Sequence, residues 1–267
     1  MAQPQLVIFT DLDGTLLDHD SYGWHAAEPA VRRLRAAGIP LVINSSKTAS
    51  EISQLRRELG NTSPYIVENG AALVIPAGCF GANQTRVHNF GASREELLKV
   101  LAQLREQGFR FRGFADMRVE KLVALTGLDN ASAERARSRY ATEPLIWEGS
   151  DRSLADFRKA LSARGLRLLR GGRFWHVMGN ADKADALRFL LEKYRARDPD
   201  TPLVSVALGD SPNDEQMLAA ADIAVVVPNP LTEPVRLAAH PRVIRPDVPG
   251  PKGWNQAITA LLDQYGI

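Results

Sequence analysis

The sequence predicts an α/β fold, a doubly wound parallel sheet with an inserted α+β cap domain. Three observations predict it. Apolar runs at Leu6 to Phe9, Leu41 to Ile43, Leu203 to Leu208 and Ile223 to Val227 are bounded by turn residues and lack sustained polar alternation, as strands buried on both faces do. Amphipathic helical segments separate them, the order that builds a parallel sheet. Between about residues 84 and 179 that order gives way to helices mixed with short strand-like pieces, which suits a second domain set into the first. The expected division is 1–83 with 180–267 for the core and 84–179 for the cap.

Bulk properties exclude more than they assign. Of 267 residues, 45% are hydrophobic and 24% charged, ordinary values for a globular protein. A net charge of +2, from 33 basic and 31 acidic residues, gives no argument for nucleic acid. Arg32-Arg33-Leu34-Arg35 and Arg56-Arg57 sit at helical spacing and read as solvated faces. No apolar run approaches the ~20 residues of a membrane helix, and Met1 to Gln5 lack the regions of a signal peptide. The single cysteine, Cys79, rules out an internal disulfide framework and fits a reducing cytoplasm; no activating pattern surrounds it. No obligate protein partner is evident.

Each element follows from local signals. The first strand runs into Asp11 and Asp13, and Gly14 lets the chain turn away. Active sites of open α/β sheets lie at such carboxyl ends. Tyr22, Trp24 and His25 fall in a polar loop over that mouth. Glu28-Pro29 starts a helix that Gly38 ends. The strand Ile39 to Asn44 leads to Ser45-Ser46-Lys47-Thr48 and a helix with Glu51, Ile52, Leu55 and Leu59 on one side. A hydroxyl there with helix-entry amides makes an anion site, and the two serines equally suit N-capping. Tyr65-Ile66-Val67 is followed by Glu68-Asn69-Gly70-Ala71, a turn signal, and Leu73 to Ile75, which suggests a hairpin. In the inserted part, helices are expected over 95–107, 119–125 and 131–139, with strands at 109–111, 145–147, 166–169 and 174–177.

The core resumes with a helix carrying Ala186, Leu187, Leu190 and Leu191. Lys183 stands in its first turn, where the dipole disfavours a cation, so it faces either solvent or an anionic site. The strand Leu203 to Leu208 ends in Gly209-Asp210-Ser211-Pro212-Asn213-Asp214. Acidic residues at two strand ends are what a Mg²⁺ site requires. A last strand, Ile223 to Val227, and the tail complete the sheet edge.

Asp11-Leu12-Asp13-Gly14-Thr15 after an apolar strand resembles the signature of the haloacid dehalogenase-like (HAD) phosphatases, and Ser45, Lys183 and Gly209 to Asp214 fit that superfamily's further motifs. Glu68-Asn69-Gly70-Ala71 resembles the segment before the cap in its class II branch. The resemblance implies that Asp11 attacks phosphorus, that Asp13 is general acid and base, and that Ser45 and Lys183 hold phosphoryl oxygens. It implies Mg²⁺ on Asp11, Asp13, Asp210 and Asp214, with Ser46, Lys47, Glu68, Asn69 and Asn213 lining the substrate site, although a plain turn also explains Glu68 and Asn69. Segments 114–128, 139–144 and 171–176, with Gly250-Pro251-Lys252-Gly253-Trp254, resemble the mannosyl-3-phosphoglycerate phosphatases, a similarity over nearly the whole chain. That implies a phosphorylated glycoside substrate; the glucosyl analogue or another sugar phosphate is the alternative. Arg139, Arg173 and His176 are candidates to bind the substrate's carboxylate, though Phe174, Trp175 and His176 equally suit cap packing. The Arg-rich stretch 135–139 leaves open which arginine takes part.

Overall fold

The computed structural model describes residues 4–171 and 173–267. The chain opens with β1 (Gln5–Thr10), followed by α1 (Glu28–Ala36), β2 (Leu41–Ile43) and α2 (Ala49–Glu58). Pro29 lies in the first turn of α1, where its missing N–H costs nothing. Thr48, and neither Ser45 nor Ser46, caps α2: its hydroxyl accepts from the Glu51 N–H while the Glu51 carboxylate accepts from the Thr48 N–H. That reciprocal pair leaves the serines outside the cap. The expected hairpin forms from β3 (Tyr65–Val67) and β4 (Ala72–Ile75), and β5 (Arg86–Asn89) adds a third antiparallel strand to it.

The inserted part runs through α3 (Arg94–Glu106), β6 (Phe111–Gly113), α4 (Val119–Thr126), α5 (Asn130–Arg137), β7 (Thr142–Trp147), α6 (Asp151–Ser162), β8 (Leu166–Arg170) and β9 (Trp175–Gly179). Its strands form an antiparallel sheet in the order β6-β7-β9-β8. Alternation divides its faces. Leu145, Trp147, Val177 and Leu168 pack with Leu101 of α3 and Phe157 of α6. Ile146 and the preceding Phe174 meet Leu122 of α4, and Leu169 and Met178 meet Ala71 of the core.

The chain returns through α7 (Lys183–Arg197), β10 (Leu203–Gly209), α8 (Glu215–Ala220), β11 (Ile223–Val226), β12 (Val243–Ile244) and α9 (Gly250–Gln264). All strands of the main sheet are parallel, in the order β12-β11-β10-β1-β2. Leu6 and Ile8 of β1 face a layer containing Leu34 and Leu261, whereas Val7 and Phe9 face Leu187 and Leu190 of α7. Helices thus cover both faces, which is why β1 reads as an unbroken apolar run. The tail does more than finish the edge: Gly250 to Trp254 open α9, and the buried Trp254 indole donates to Thr10 Oγ1 at 3.0 Å. No helix among the described residues is long and apolar enough to cross a membrane.

Candidate active site

Register brings the site together. Thr10 lies opposite Leu208 on one side and Ile43 on the other, so Asp11, Asp210 and Ser45 leave three neighbouring strands at one level. Asp11, Asp210 and Asp214 each offer a carboxylate oxygen, all within 4.8 Å of one another. Between them lies Lys183, whose Nζ donates to Asp11 Oδ1 at 2.6 Å and Asp214 Oδ1 at 2.7 Å. Only 1% of Lys183 is exposed, so its charge is answered by these carboxylates and not by water. Asp182 caps α7 and Asp185 completes the capping box, which offsets the dipole that disfavours Lys183 in this turn.

Burial works to strip Lys183 of its proton, but Asp11 and Asp214 overcome it and hold the ammonium firmly protonated. Burial pushes the Asp11 carboxyl well above its ordinary range; Lys183 opposes this, while Asp214, Asp210 and Asp13 add to it. Asp210 is raised by burial and by Asp214, against the hydrogen bonds from Asn229 and Thr15. Three buried carboxylates therefore share one ammonium, an excess of negative charge that burial makes costly. A hard divalent cation with oxygen ligands relieves that excess, and the donor set fits one. Asp13 adds a buried Oδ1 with no hydrogen-bond partner, while its Oδ2 pairs with Lys47 Nζ at 2.9 Å.

Other residues hold these groups in place. Thr15 Oγ1 donates to Asp210 Oδ1 at 2.7 Å, Asn229 Nδ2 to Asp210 Oδ2 at 2.6 Å, and Thr232 Oγ1 to the Asp210 carbonyl at 3.1 Å. Asp214 Oδ2 accepts the main-chain N–H groups of Asp210 and Ser211. Gly14 has φ +80°, and a Cβ there would sit 2.7 Å from Asp210 Oδ2, so both backbone and contact demand glycine. Thr15 lay within the legible motif. Nothing in the spacing of Asn229 and Thr232 announced their bonds to Asp210.

Ser45 is buried at the end of β2, its Oγ accepting from the Lys47 N–H at 3.2 Å, with the half-buried Ser46 beside it. The N–H groups of Glu68 and Asn69 donate to the carbonyls of Lys47 and Ser45, which ties the loop after β3 to the loop after β2. Asn213 Nδ2 reaches Asn69 Oδ1 at 3.4 Å. The buried Glu68 carboxylate accepts from Tyr140 N–H at 2.7 Å, Ala141 N–H at 3.2 Å and Thr142 Oγ1 at 2.6 Å. Both its oxygens thus fasten the inserted domain to the core. Arg139 donates to Thr142 Oγ1 and the Ala136 carbonyl, each at 2.9 Å. Arg173, exposed, donates to the carbonyls of Leu125 and Thr126 at the end of α4. His176 lies opposite Pro144 in the cap sheet; burial, assisted by the Arg139 charge, draws its pKa down to about 3.

The haloacid dehalogenase-like hydrolase family profile matches residues 8–140, and the sucrose-6F-phosphate phosphohydrolase profile matches 147–259. A glucosyl-3-phosphoglycerate/mannosyl-3-phosphoglycerate phosphatase of Persephonella marina is 38% identical over 97% of this chain and 98% of its own. The protein of that name from Methanococcoides burtonii is 39% identical over 96% and 97%. Among solved structures, a haloalkanoate (HAD) superfamily phosphatase from Bacteroides thetaiotaomicron superposes with a TM-score of 0.65 at 20% identity, covering 99% of this chain and 96% of that one. A structure titled as a HAD subclass IIB sugar phosphatase gives 0.60 at 17% identity, covering 98% and 99%. The chain belongs to the haloacid dehalogenase-like hydrolases, and among them to the phosphatases.

Proposed function

We propose that the chain is a cytoplasmic, Mg²⁺-dependent phosphatase that hydrolyses the phosphate monoester of mannosyl-3-phosphoglycerate to mannosylglycerate and phosphate. The observation that carries this reading is the buried group of Asp11, Asp210 and Asp214 around Lys183 in a chain with full-length relatives of that name. Those relatives name both glycosyl esters, which supports glucosyl-3-phosphoglycerate as a second substrate.

Phosphoryl transfer passes through a loose transition state, so the protein's work is positioning and charge stabilisation. In this reading Asp11 attacks phosphorus in line and forms an aspartyl-phosphate, while Lys183 holds its Oδ1. Asp13 gives a proton to the departing alkoxide and then takes one from the water that cleaves the intermediate. Its unpartnered Oδ1 is free for that proton, and Lys47 orients the carboxyl through Oδ2. Ser45 and the adjoining amides hold phosphoryl oxygens, with Ser46, Asn69 and Asn213 nearby. Asp11, Asp210 and the Asp13 main-chain carbonyl would hold the ion, with Asp214 in support. Mg²⁺ bound there offsets repulsion between carboxylates and phosphate.

Phosphate release across a panel of glycosyl phosphoglycerates and hexose phosphates tests the reading. Mannosyl- and glucosyl-3-phosphoglycerate should be the best substrates, with activity lost in EDTA and restored by Mg²⁺. Preference for a simple hexose phosphate would overturn the substrate assignment, and full activity after exhaustive chelation would overturn the metal.

A further inference from the structure

A cleft of about 410 Å³ opens between the loop after β1, α2, and the start of α5. Its size is that of a small-molecule site. Lys47 forms part of its wall, and the same ammonium pairs with Asp13 Oδ2 at 2.9 Å, which sets that wall beside the candidate site. Tyr22 and Trp24 supply aromatic surface, while Leu128, Ser132 and Arg135 enter from the inserted domain. A cavity of about 510 Å³ around Ile39, Pro40 and Cys79 lies at the opposite, amino-terminal end of β2 and reaches none of the catalytic groups.

We infer that this cleft receives the glycosyl-glycerate part of the substrate, with Arg135 binding the carboxylate and Tyr22 and Trp24 packing against the hexosyl ring. The inference rests on the substrate reading above. Three arginines stand in the 135–139 stretch, and their bonds separate them. Arg137 pairs with Glu134, and Arg139 is bound to Thr142 and Ala136. Arg135 lines the cleft, one amino group donating to Ser132 Oγ at 2.6 Å, which leaves further donors of its fork for an anion. Its carbonyl accepts from Thr48 Oγ1 at 2.9 Å, so the residue is anchored to the start of α2, next to Lys47. Glu51 and Glu58 also line the cleft, with Glu51 Oε2 accepting from the Thr48 N–H and Glu58 Oε1 from Gln54 Nε2; beside them, Arg135 and the aromatic faces match a ligand with a carboxylate and a sugar ring. Ring stacking uses the apolar face of a hexose and leaves its hydroxyls for polar neighbours.

Kinetics on three ligands test the assignment: mannosyl-3-phosphoglycerate, 3-phosphoglycerate (as substrate or competitive inhibitor), which has the carboxylate but no sugar, and an aryl phosphate with neither. Arg135→Ala should raise KM or Ki for the first two about ten- to a hundredfold and leave the aryl phosphate unchanged. Arg135→Lys should recover part of the loss, and Arg137→Ala should change nothing. Trp24→Leu should weaken only the glycosyl ester; Tyr22→Ala, at a residue 58% exposed, should do the same without risk to folding. Uniform losses on all three ligands, or equal effects of Arg135→Ala and Arg137→Ala, overturn the inference and leave the substrate reading intact. A wild-type enzyme that does not turn over the glycosyl ester overturns both, and that result is read before any variant is made.

Discussion

Lys183 carries the electrostatics of the site, because it is the ammonium that Asp11 and Asp214 share away from water. Removing one member of such a buried group leaves the others uncompensated, at a cost of about 3–5 kcal/mol. Lys183→Met should therefore lower unfolding stability by about that much in urea. Added Mg²⁺ should stabilise the variant more than the wild type, since a cation would answer the orphaned carboxylates. A loss below about 1 kcal/mol would mean that the buried charges are screened by other means. His176 gives a pH prediction with a definite sign. Its folded pKa of about 3, depressed by burial and by Arg139, lies below the ordinary 6.5. Between those values the unfolded chain binds a proton that the folded chain does not, so this residue's contribution to stability is lost as pH falls from about 6.5 toward 3. His176→Gln should flatten the decline of the urea midpoint between pH 7 and 4.5. An imidazole NMR titration near pH 6.5 in the folded protein would contradict the burial argument.

At the scale of single elements, Thr48 joins two parts of the molecule. Its hydroxyl oxygen accepts at the start of α2, and its proton goes to the Arg135 carbonyl. Loss of such a cap costs about 1 kcal/mol, so Thr48→Ala should lower the melting temperature by about 2–4 °C, and Thr48→Ser should recover most of it. No change on Thr48→Ala would show that water replaces the cap. Caps and helical periodicity are local properties, which is why α1, α2, α3 and α7 were legible from sequence. β5 was not, because Arg86, Val87, His88 and Asn89 are all exposed and bury no alternating face. What makes that segment a strand is the free edge of β4, a partner local sequence does not specify. α6 was legible in principle: Ser150 caps it, and Leu154, Phe157 and Leu161 follow at helical spacing toward the cap core.

Across the whole molecule, the carboxylates of the candidate site were legible because each ends a buried strand or starts a helix, and parallel register then brings them to one level. The bonds that join the two domains were not, since Glu68 finds its partners 72 to 74 residues away. Glu68 has φ +57° and Asn69 φ +59°, left-handed conformations that cost about 1–2 kcal/mol in a residue with a Cβ. In that conformation the carboxylate meets two N–H groups and a hydroxyl at the start of β7, while the Glu68 N–H holds the Lys47 carbonyl. One residue thus links the loop that carries Ser45 and Lys47 to the domain that carries Arg135 and Arg139. Glu68→Gln replaces a carboxylate that serves three donors with an amide whose own N–H₂ faces some of them, leaving buried donors unpaired at about 1–3 kcal/mol each. The expected outcome is a looser junction: faster protease cleavage near residues 138–142 in the folded protein, and a larger rise in KM for the glycosyl ester than for an aryl phosphate. Unchanged proteolysis and unchanged kinetics would show that Glu68 holds only its own turn and does not set the position of the cap.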